Sequence, residues 1–334
     1  MPAPMKQLPL TEVGMLGPFV GFLEEVGVPV NQVLDTNNIS REMVDRGNGK
    51  VTKLQFYQFL DTGGPGQGLP DFGYRIGESF GMRFMGPVGS SVLRAATLKD
   101  AVDTFAIHLR GWLDGNQLWL EPDGKNVWLC NLAKDGLQPF QTMSNQCAIM
   151  TLISLVREVA GDNWVPKKVR LDANTAIARE EIGALAHAEV ELIGQGVAIQ
   201  LPAKFLARPF LIASHCAEAE PPTRGPESFL DSLEKALHDQ LPFLGVPTIS
   251  QAAEITGVSQ RTLQRQLESD GLTYQRLIDR VRFEIARMRL REDPGLTMRE
   301  LAAELHFGSP SNFGRSFRRV AGMTPGAYLN SIQT

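Results

Sequence analysis

One stretch of this chain is written twice: TISQAAEITGVSQRTLQRQLESDGLT from Thr248 to Thr273, and TMRELAAELHFGSPSNFGRSFRRVAGMT from Thr297 to Thr324. Aligned, Thr248 meets Thr297, Ile249 meets Met298, Ala253 meets Ala302 and Val258 meets Phe307. Past a one-residue insertion at Gly308, Ser259 meets Ser309, Leu263 meets Phe313, Arg265 meets Arg315 and Leu267 meets Phe317. So many ordered matches mark a duplication, and a duplication confines this part of the chain to two like supersecondary units.

Each copy opens with Thr followed three residues later by Gln251 or Glu300, a capping-box start to a helix. Ala253 and Ala302 stand where a second helix must cross closely, and Gly257 stands at a turn that favours positive φ. Val258, Leu263 and Leu267 point inward at helical spacing, which turns Gln260, Arg261, Gln264 and Arg265 outward. The pattern is a helix, a tight turn and a second helix whose outer face can enter a nucleic-acid groove. Between the copies, Tyr274, Leu277, Ile278, Val281, Ile285 and Met288 form the stripe of one helix from about Thr273 to Arg291. At about 1.5 Å per residue it spans roughly 28 Å, of the order of the ~34 Å between successive major grooves on one face of DNA. Upstream, Phe229, Leu230, Leu233, Leu237 and Leu241 make a first helix, so the C-terminal domain is expected to be all-α.

Net charge of the 334 residues is −4, but it is unevenly spread. Residues 227–334 hold 13 basic and 13 acidic side chains, leaving 20 and 24 for the rest. From Ser259 onward there are 12 arginines, no lysine and 8 acids, and no acid follows Glu304. A basic face on an otherwise acidic chain is what phosphate binding requires. Ser259 and Ser309 are candidate N-caps whose neighbouring amides face phosphate, and Arg318 and Arg319 add positive charge beside them.

The polar, Pro-rich stretch 213–226 reads as a linker, dividing an N-terminal domain at 1–212 from a C-terminal domain at 227–334 with its two like units at about 248–269 and 297–320. Upstream, Val13, Leu16, Phe19, Val20 and Leu23 predict a helix over Thr11–Glu25, stopped at Gly27-Val28-Pro29. Leu54–Leu60 reads as helix and GGPGQG at 63–68 as a loop. Two strands flank Pro122-Asp123-Gly124-Lys125 as a hairpin, and 146–159 predicts a buried helix ending at Gly161. Helices mixed with strands make the N-terminal domain α+β. No apolar run is long enough to span a bilayer and no secretory leader opens the chain, so a cytoplasmic location without membrane partners is expected.

Residues 227–334 closely resemble the AraC/XylS family of transcription regulators. The resemblance is carried by Gly257-Val258-Ser259, Arg261-Thr262-Leu263-Gln264-Arg265, Arg282, Ala286, Leu290, Phe313, Phe317, Gly322, Thr324 and Pro325. More loosely, the N-terminal part resembles the arabinose-binding-type effector domain of relatives of the ornithine utilisation regulator. There the carrying residues are Gly77-Glu78, Gly86, Thr97-Leu98, Ala101, Gly161, Trp164, Pro166 and Leu206-Ala207-Arg208-Pro209.

The resemblance implies two helix-turn-helix units joined by a long helix, each second helix in the major groove of promoter DNA. Base-facing positions then fall on Arg261, Thr262 and Arg265 in the first unit, and on Ser311, Asn312 and Arg315 in the second. The bare chemistry agrees: Arg forks to guanine O6 and N7, Asn pairs with the adenine edge, and Gln260 or Gln264 could do likewise. Implied too are a small-molecule effector, activation of transcription, contact with RNA polymerase and a homodimer. In one departure, His306 stands where the family has Gly, at a turn that demands a left-handed backbone.

Other motifs have plainer readings. The five histidines lack metal-ligand spacing, and Cys130, Cys147 and Cys216 form neither a disulfide framework nor a zinc cage, so no metal or cofactor is expected. The Gly-rich loop lacks the Lys-Ser/Thr of a phosphate loop. Trp112, Trp119 and Trp128 either line a ligand cavity or, as aromatics around a hairpin more often do, belong to the core. Arg276, Arg280, Arg287 and Arg291 either track phosphates or form a solvated face paired with Glu284 and Glu292. Two rival classes, a DNA-tethered alkyl-transfer repair protein and an effector-independent nucleoid-binding protein, also carry such DNA-binding units. The former needs a thiolate activated by neighbouring His and Glu, a setting neither Cys130 nor Cys147 has, and no enzymatic activity is expected.

Overall fold

A computed structural model describes residues 7–113, 115–137, 140–177, 179–210, 228–293 and 295–333. The linker expected at 213–226 lies outside the described residues. Contacts divide the chain into an N-terminal unit, Pro9–Asn37 with Lys53–Gly225, and a C-terminal unit, Met1–Leu8 and Asn38–Thr52 with Pro226–Thr334.

In chain order come β1 (Leu10–Glu12), α1 (Gly17–Glu25), α2 (Val30–Thr36), α3 (Arg41–Arg46) and β2 (Lys50–Thr52). Helices α4 (Lys53–Gly63), α5 (Phe72–Phe80), α6 (Gly86–Leu93) and α7 (Leu98–Trp112) lead to strands β3 (Asn116–Asp123) and β4 (Asn126–Ala133) and to α8 (Thr142–Ala160). Strands β5 (Lys168–Leu171), β6 (Glu189–Leu192) and β7 (Val197–Pro202) follow. The C-terminal unit adds α9 (Phe229–Leu244), α10 (Ile249–Thr256), α11 (Gln260–Ser269), α12 (Tyr274–Glu292), α13 (Met298–Glu304), α14 (Pro310–Ala321) and α15 (Pro325–Gln333).

The N-terminal unit is α+β as expected, its sheet ordered β3-β4-β7-β5-β6 and antiparallel except between β5 and β6. The hairpin closes through Gly124 at φ 61°, with Asp123 opposite Asn126. Pro122 is tolerated because β3 is an edge strand, where a missing amide costs no ladder bond. Leu129, Val169 and Ile199 meet in register and are fully buried. Helix α8 is apolar nearly all round, the mark of a helix enclosed by its neighbours. Helix α5 lies against it through Gly73 and Gly77: a Cβ at Gly73 would sit 2.1 Å from the Met143 carbonyl oxygen, and one at Gly77 2.5 Å from Met150 Cβ. Only residues without a side chain permit that approach.

The helix expected from Thr11 starts only at Gly17, because Leu10–Glu12 is strand and Val13–Leu16 a 3-10 turn. Pro18, which lacks an amide and clashes with a preceding turn, is acceptable only in a first helical turn and so sets that start. The apolar stripe itself is buried as read. Of the Gly-rich segment, Gly63 ends α4 and Pro65–Gln67 form a 3-10 turn. Trp128 is buried and Trp119 is 40% exposed.

In the C-terminal unit, α9 receives a segment from far upstream. The Lys50 amide donates to Asp239 Oδ2 at 2.9 Å, Gln240 Nε2 donates to the Lys50 carbonyl at 3.3 Å, and the Arg46 guanidinium lies 5.4 Å from the Phe243 ring centroid. Thr52 Oγ1 donates to the Ile255 carbonyl at 2.7 Å. That carbonyl belongs to the last turn of α10, where no helical amide is left to meet it.

Candidate nucleic-acid interface

The two copies fold alike because their local signals are alike. Thr248 and Thr297 each accept from the amide three residues on, while Gln251 and Glu300 reach back to the cap amide, completing both capping boxes. Helix α10 ends at Gly257 with φ 71°, and the turn after α13 places His306 at φ 54°. The substitution of His for Gly is therefore accommodated in the left-handed region the turn requires, at the cost a Cβ brings there. Arg282 offsets it: its Nη2 donates to the His306 carbonyl at 2.7 Å, and its guanidinium stacks 3.9 Å from the Phe307 ring centroid.

Ser259 then caps α11, accepting from the Thr262 amide at 3.1 Å, and Ser309 caps α14, accepting from the Asn312 amide at 3.2 Å. In α11 the first-turn amides of Gln260 and Arg261 stay outside the helical ladder. In α14 Pro310 at N1 has no amide, so the equivalent anion cradle is one donor poorer.

Leu263 and Leu267 of α11, and Phe313 and Phe317 of α14, are buried. Consequently Gln260, Arg261, Gln264 and Arg265 stand exposed on one helix, and Ser311, Asn312, Arg315 and Arg318 on the other. Among the described residues neither Arg261 nor Arg265 is held in an ion pair. Thr262 is half-buried, its hydroxyl 2.9 Å from the Ser259 hydroxyl within the cap. Arg315 Nη2 donates to Asn312 Oδ1 at 2.6 Å, so these two base-facing candidates are hydrogen-bonded to each other. Arg319, read as a phosphate contact, bonds Asp279 of α12 at 2.7 Å and keeps 61% of its side chain exposed.

The connecting helix runs Tyr274–Glu292 with Thr273 as its cap, within a residue of its reading. On it, Arg280 pairs with Glu234 and Arg287 with Glu284, while Glu292 pairs with Arg289. Arg280 and Arg287 are thus ion-paired, Arg280 with a residue of α9 and not with the expected acids of its own helix.

A helix-turn-helix domain model matches residues 252–331, and the model of the arabinose-binding domain of AraC transcription regulator, N-term, matches residues 27–210, more than half the chain. The chain belongs to the AraC family of transcription regulators. It is 26% identical over 330 residues to the ornithine utilization regulator of Pseudomonas aeruginosa, with 96% of each chain covered. It is also similar to the solved structure of the transcriptional regulator CdpR from Pseudomonas aeruginosa, at 20% identity and a TM-score of 0.38 over 92% of this chain and 98% of that one. This AraC-family protein is thus a helix-turn-helix DNA-binding regulator with an N-terminal effector-binding domain, and its partners include DNA and a small molecule.

Sequence reasoning missed what holds the second unit of this AraC-family regulator in place. Asp279 is buried to 3% exposure and accepts from Ser316 Oγ at 2.8 Å as well as from Arg319. Phe283, Phe313, Phe317 and Tyr328 form an edge-on aromatic cluster, with Phe283 and Phe317 centroids 4.9 Å apart. One signal was available: an acid between Ile278 and Val281 in an apolar stripe needs a partner from another element.

Proposed function

We propose that this regulator is a ligand-responsive activator whose α11 and α14 enter successive major grooves of promoter DNA. The observation that carries this reading is the pair of like-capped helices, each exposing an arginine-bearing face, joined by a continuous helix of about 28 Å. Arg261, Thr262, Arg265, Gln260 and Gln264 read bases in one groove, and Ser311, Asn312 and Arg315 in the next. Ser259, Ser309, Arg318 and Arg319 set register on phosphates.

Labour divides between effector work in 1–212 and DNA binding in 227–334, with 38–52 serving the second as a structural strut. Effector binding shifts the population of DNA-competent molecules, and RNA polymerase contact and homodimerisation complete the activator. The protein works in the cytoplasm and carries out no catalysis. Supporting that, Cys130 and Cys147 are buried, and burial pushes their thiols up to about 11 and about 12, unsuited to a nucleophilic thiolate.

Footprinting on the protein's own upstream DNA tests the reading. Two protected patches one helical turn apart are expected, with affinity on the order of a thousandfold or more above random DNA at physiological salt. A single patch, or equal affinity for random DNA, would overturn it.

A further inference from the structure

The N-terminal unit encloses a cavity of about 50 Å³ whose wall takes residues from α1, α4, α7, α8 and the β3–β4 hairpin. Phe19, Phe56 and Phe105 make it largely apolar. Two amides interrupt that wall, Asn116 at 7% and Asn131 at 6% exposure. The register pairs Asn116 with Ala133 and Leu118 with Asn131, so both asparagines lie on the same face of the hairpin as diagonal neighbours. Asn116 Oδ1 accepts from Lys53 Nζ at 2.6 Å. Among the described residues, nothing receives the Asn116 amide hydrogens and nothing pairs with the Asn131 side chain. Neither side chain is among the sealed polar atoms without a partner, and polar groups left unengaged at an accessible wall can bond a guest.

The cavity's charge balance narrows what fits. Lys53 and Asp135 lie behind Asn116 and close on each other at 2.6 Å, and among the described residues no charged side chain lines the cavity itself. A carboxylate or ammonium guest would therefore be desolvated without a counter-charge. Ser144 and Ala148, one turn apart on α8, are the lining residues that are not buried. Met15 and Met85, unbranched and compliant, let the wall yield to a guest larger than the resting volume.

We propose that this cavity is the effector site, and that the effector is a small uncharged molecule with an apolar body and one hydroxyl or carbonyl end held by Asn131 and Asn116. The proposal rests on the N-terminal unit being the effector-binding domain and adds its place and ligand chemistry.

Calorimetric titration of the full-length protein with four congeners of one body separates the possibilities: benzyl alcohol, benzoate, benzylamine and toluene. Benzyl alcohol is expected to bind one to one, with each charged congener and toluene weaker by about tenfold or more, as one missing or uncompensated polar contact implies. Asn131→Leu should abolish the preference for alcohol over toluene, and Ala148→Trp should block all four, with melting curves confirming that both variants fold. Equal binding of the charged congeners, an unchanged alcohol-to-toluene ratio in Asn131→Leu, or no binding by any congener would overturn the assignment. DNA binding and a response to some other small molecule would survive that failure; their loss would sink the regulator reading instead.

Discussion

Asp279 Oδ2 and Arg319 Nη2 lie 2.7 Å apart, tying the middle of the connecting helix to the outer face of α14. The same carboxylate takes the buried Ser316 hydroxyl. Helix α14 is thereby fixed in rotation about its own axis, which decides where Asn312 and Arg315 point. Asp279→Ala should cost about 2–3 kcal/mol, since it strands a buried hydroxyl and removes a charge-assisted bond. Asp279→Asn, able to keep the Ser316 bond, should cost less. Urea denaturation gives the stability, and footprinting should show weakened protection at the α14 half-site with the α11 half-site retained.

Arg265 and Arg318 should differ in kind. Arg265→Ala is expected to lose about 1–3 kcal/mol on the specific site and to relax selectivity at one base position. Arg318→Ala should weaken specific and random DNA alike and reduce the salt slope of log K by about 1. Titrations at several salt concentrations distinguish the two; equal losses on both DNAs for Arg265→Ala would remove it from base reading.

Gly77→Ala should destabilise the N-terminal unit by about 1–3 kcal/mol, because the new methyl meets Met150 Cβ at 2.5 Å and the Cys147 carbonyl oxygen at 2.8 Å. Relief requires moving the α8 backbone, not a flexible side-chain end. The melting temperature checks this, and an unchanged value would show that α5 and α8 separate freely.

Acid should unlock the buried Lys53–Asp135 pair. Burial alone would raise the Asp135 carboxyl, but the Lys53 ammonium, with hydrogen bonds from Lys53, the Leu137 amide and Tyr57, holds it below the usual carboxylate range. A depressed folded pKa contributes stability that is complete above the unfolded value of about 3.9 and is lost as pH falls through the folded value. Calorimetry should therefore find this contribution intact at neutral pH and failing below about pH 4. Asp135→Asn should cost about 3–5 kcal/mol at pH 7 by leaving Lys53 buried without its counter-ion, and should flatten the acid limb.

Thr52→Val should cost about 1 kcal/mol in the C-terminal unit by leaving the Ile255 carbonyl without its donor. A fragment of residues 227–334 lacks the whole 38–52 strut, so it should retain sequence preference yet melt below the same unit in the full chain. Equal melting temperatures would show that α9 needs no cover from upstream.

The helix-turn-helix units were legible because their determinants are local. Capping boxes, the left-handed turn positions, and Ser259 and Ser309 as caps each depend on residues within four positions of one another. His306 was legible for the same reason, as a non-glycine residue at a turn that needs positive φ. Pro18 shows the limit: the apolar stripe from Val13 to Leu23 was read correctly as buried, yet burial periodicity does not say where a helix begins. The partners of Asp279 and Arg282 were not legible, because Ser316, Arg319, the His306 carbonyl and Phe307 lie 24 or more residues away, and nothing in linear spacing selects among such partners.

By itself, the order of residues determined that this chain presents two like helices with basic outer faces, because helix initiation, termination and facing are settled within a turn or two of backbone. Only the tertiary structure decided that residues 38–52 belong with the C-terminal unit, that Arg319 is tethered to Asp279, and that Asn116 and Asn131 share one cavity wall. Those juxtapositions arise from packing between distant segments, where the free energy depends on which surfaces meet and not on which residues are neighbours along the chain.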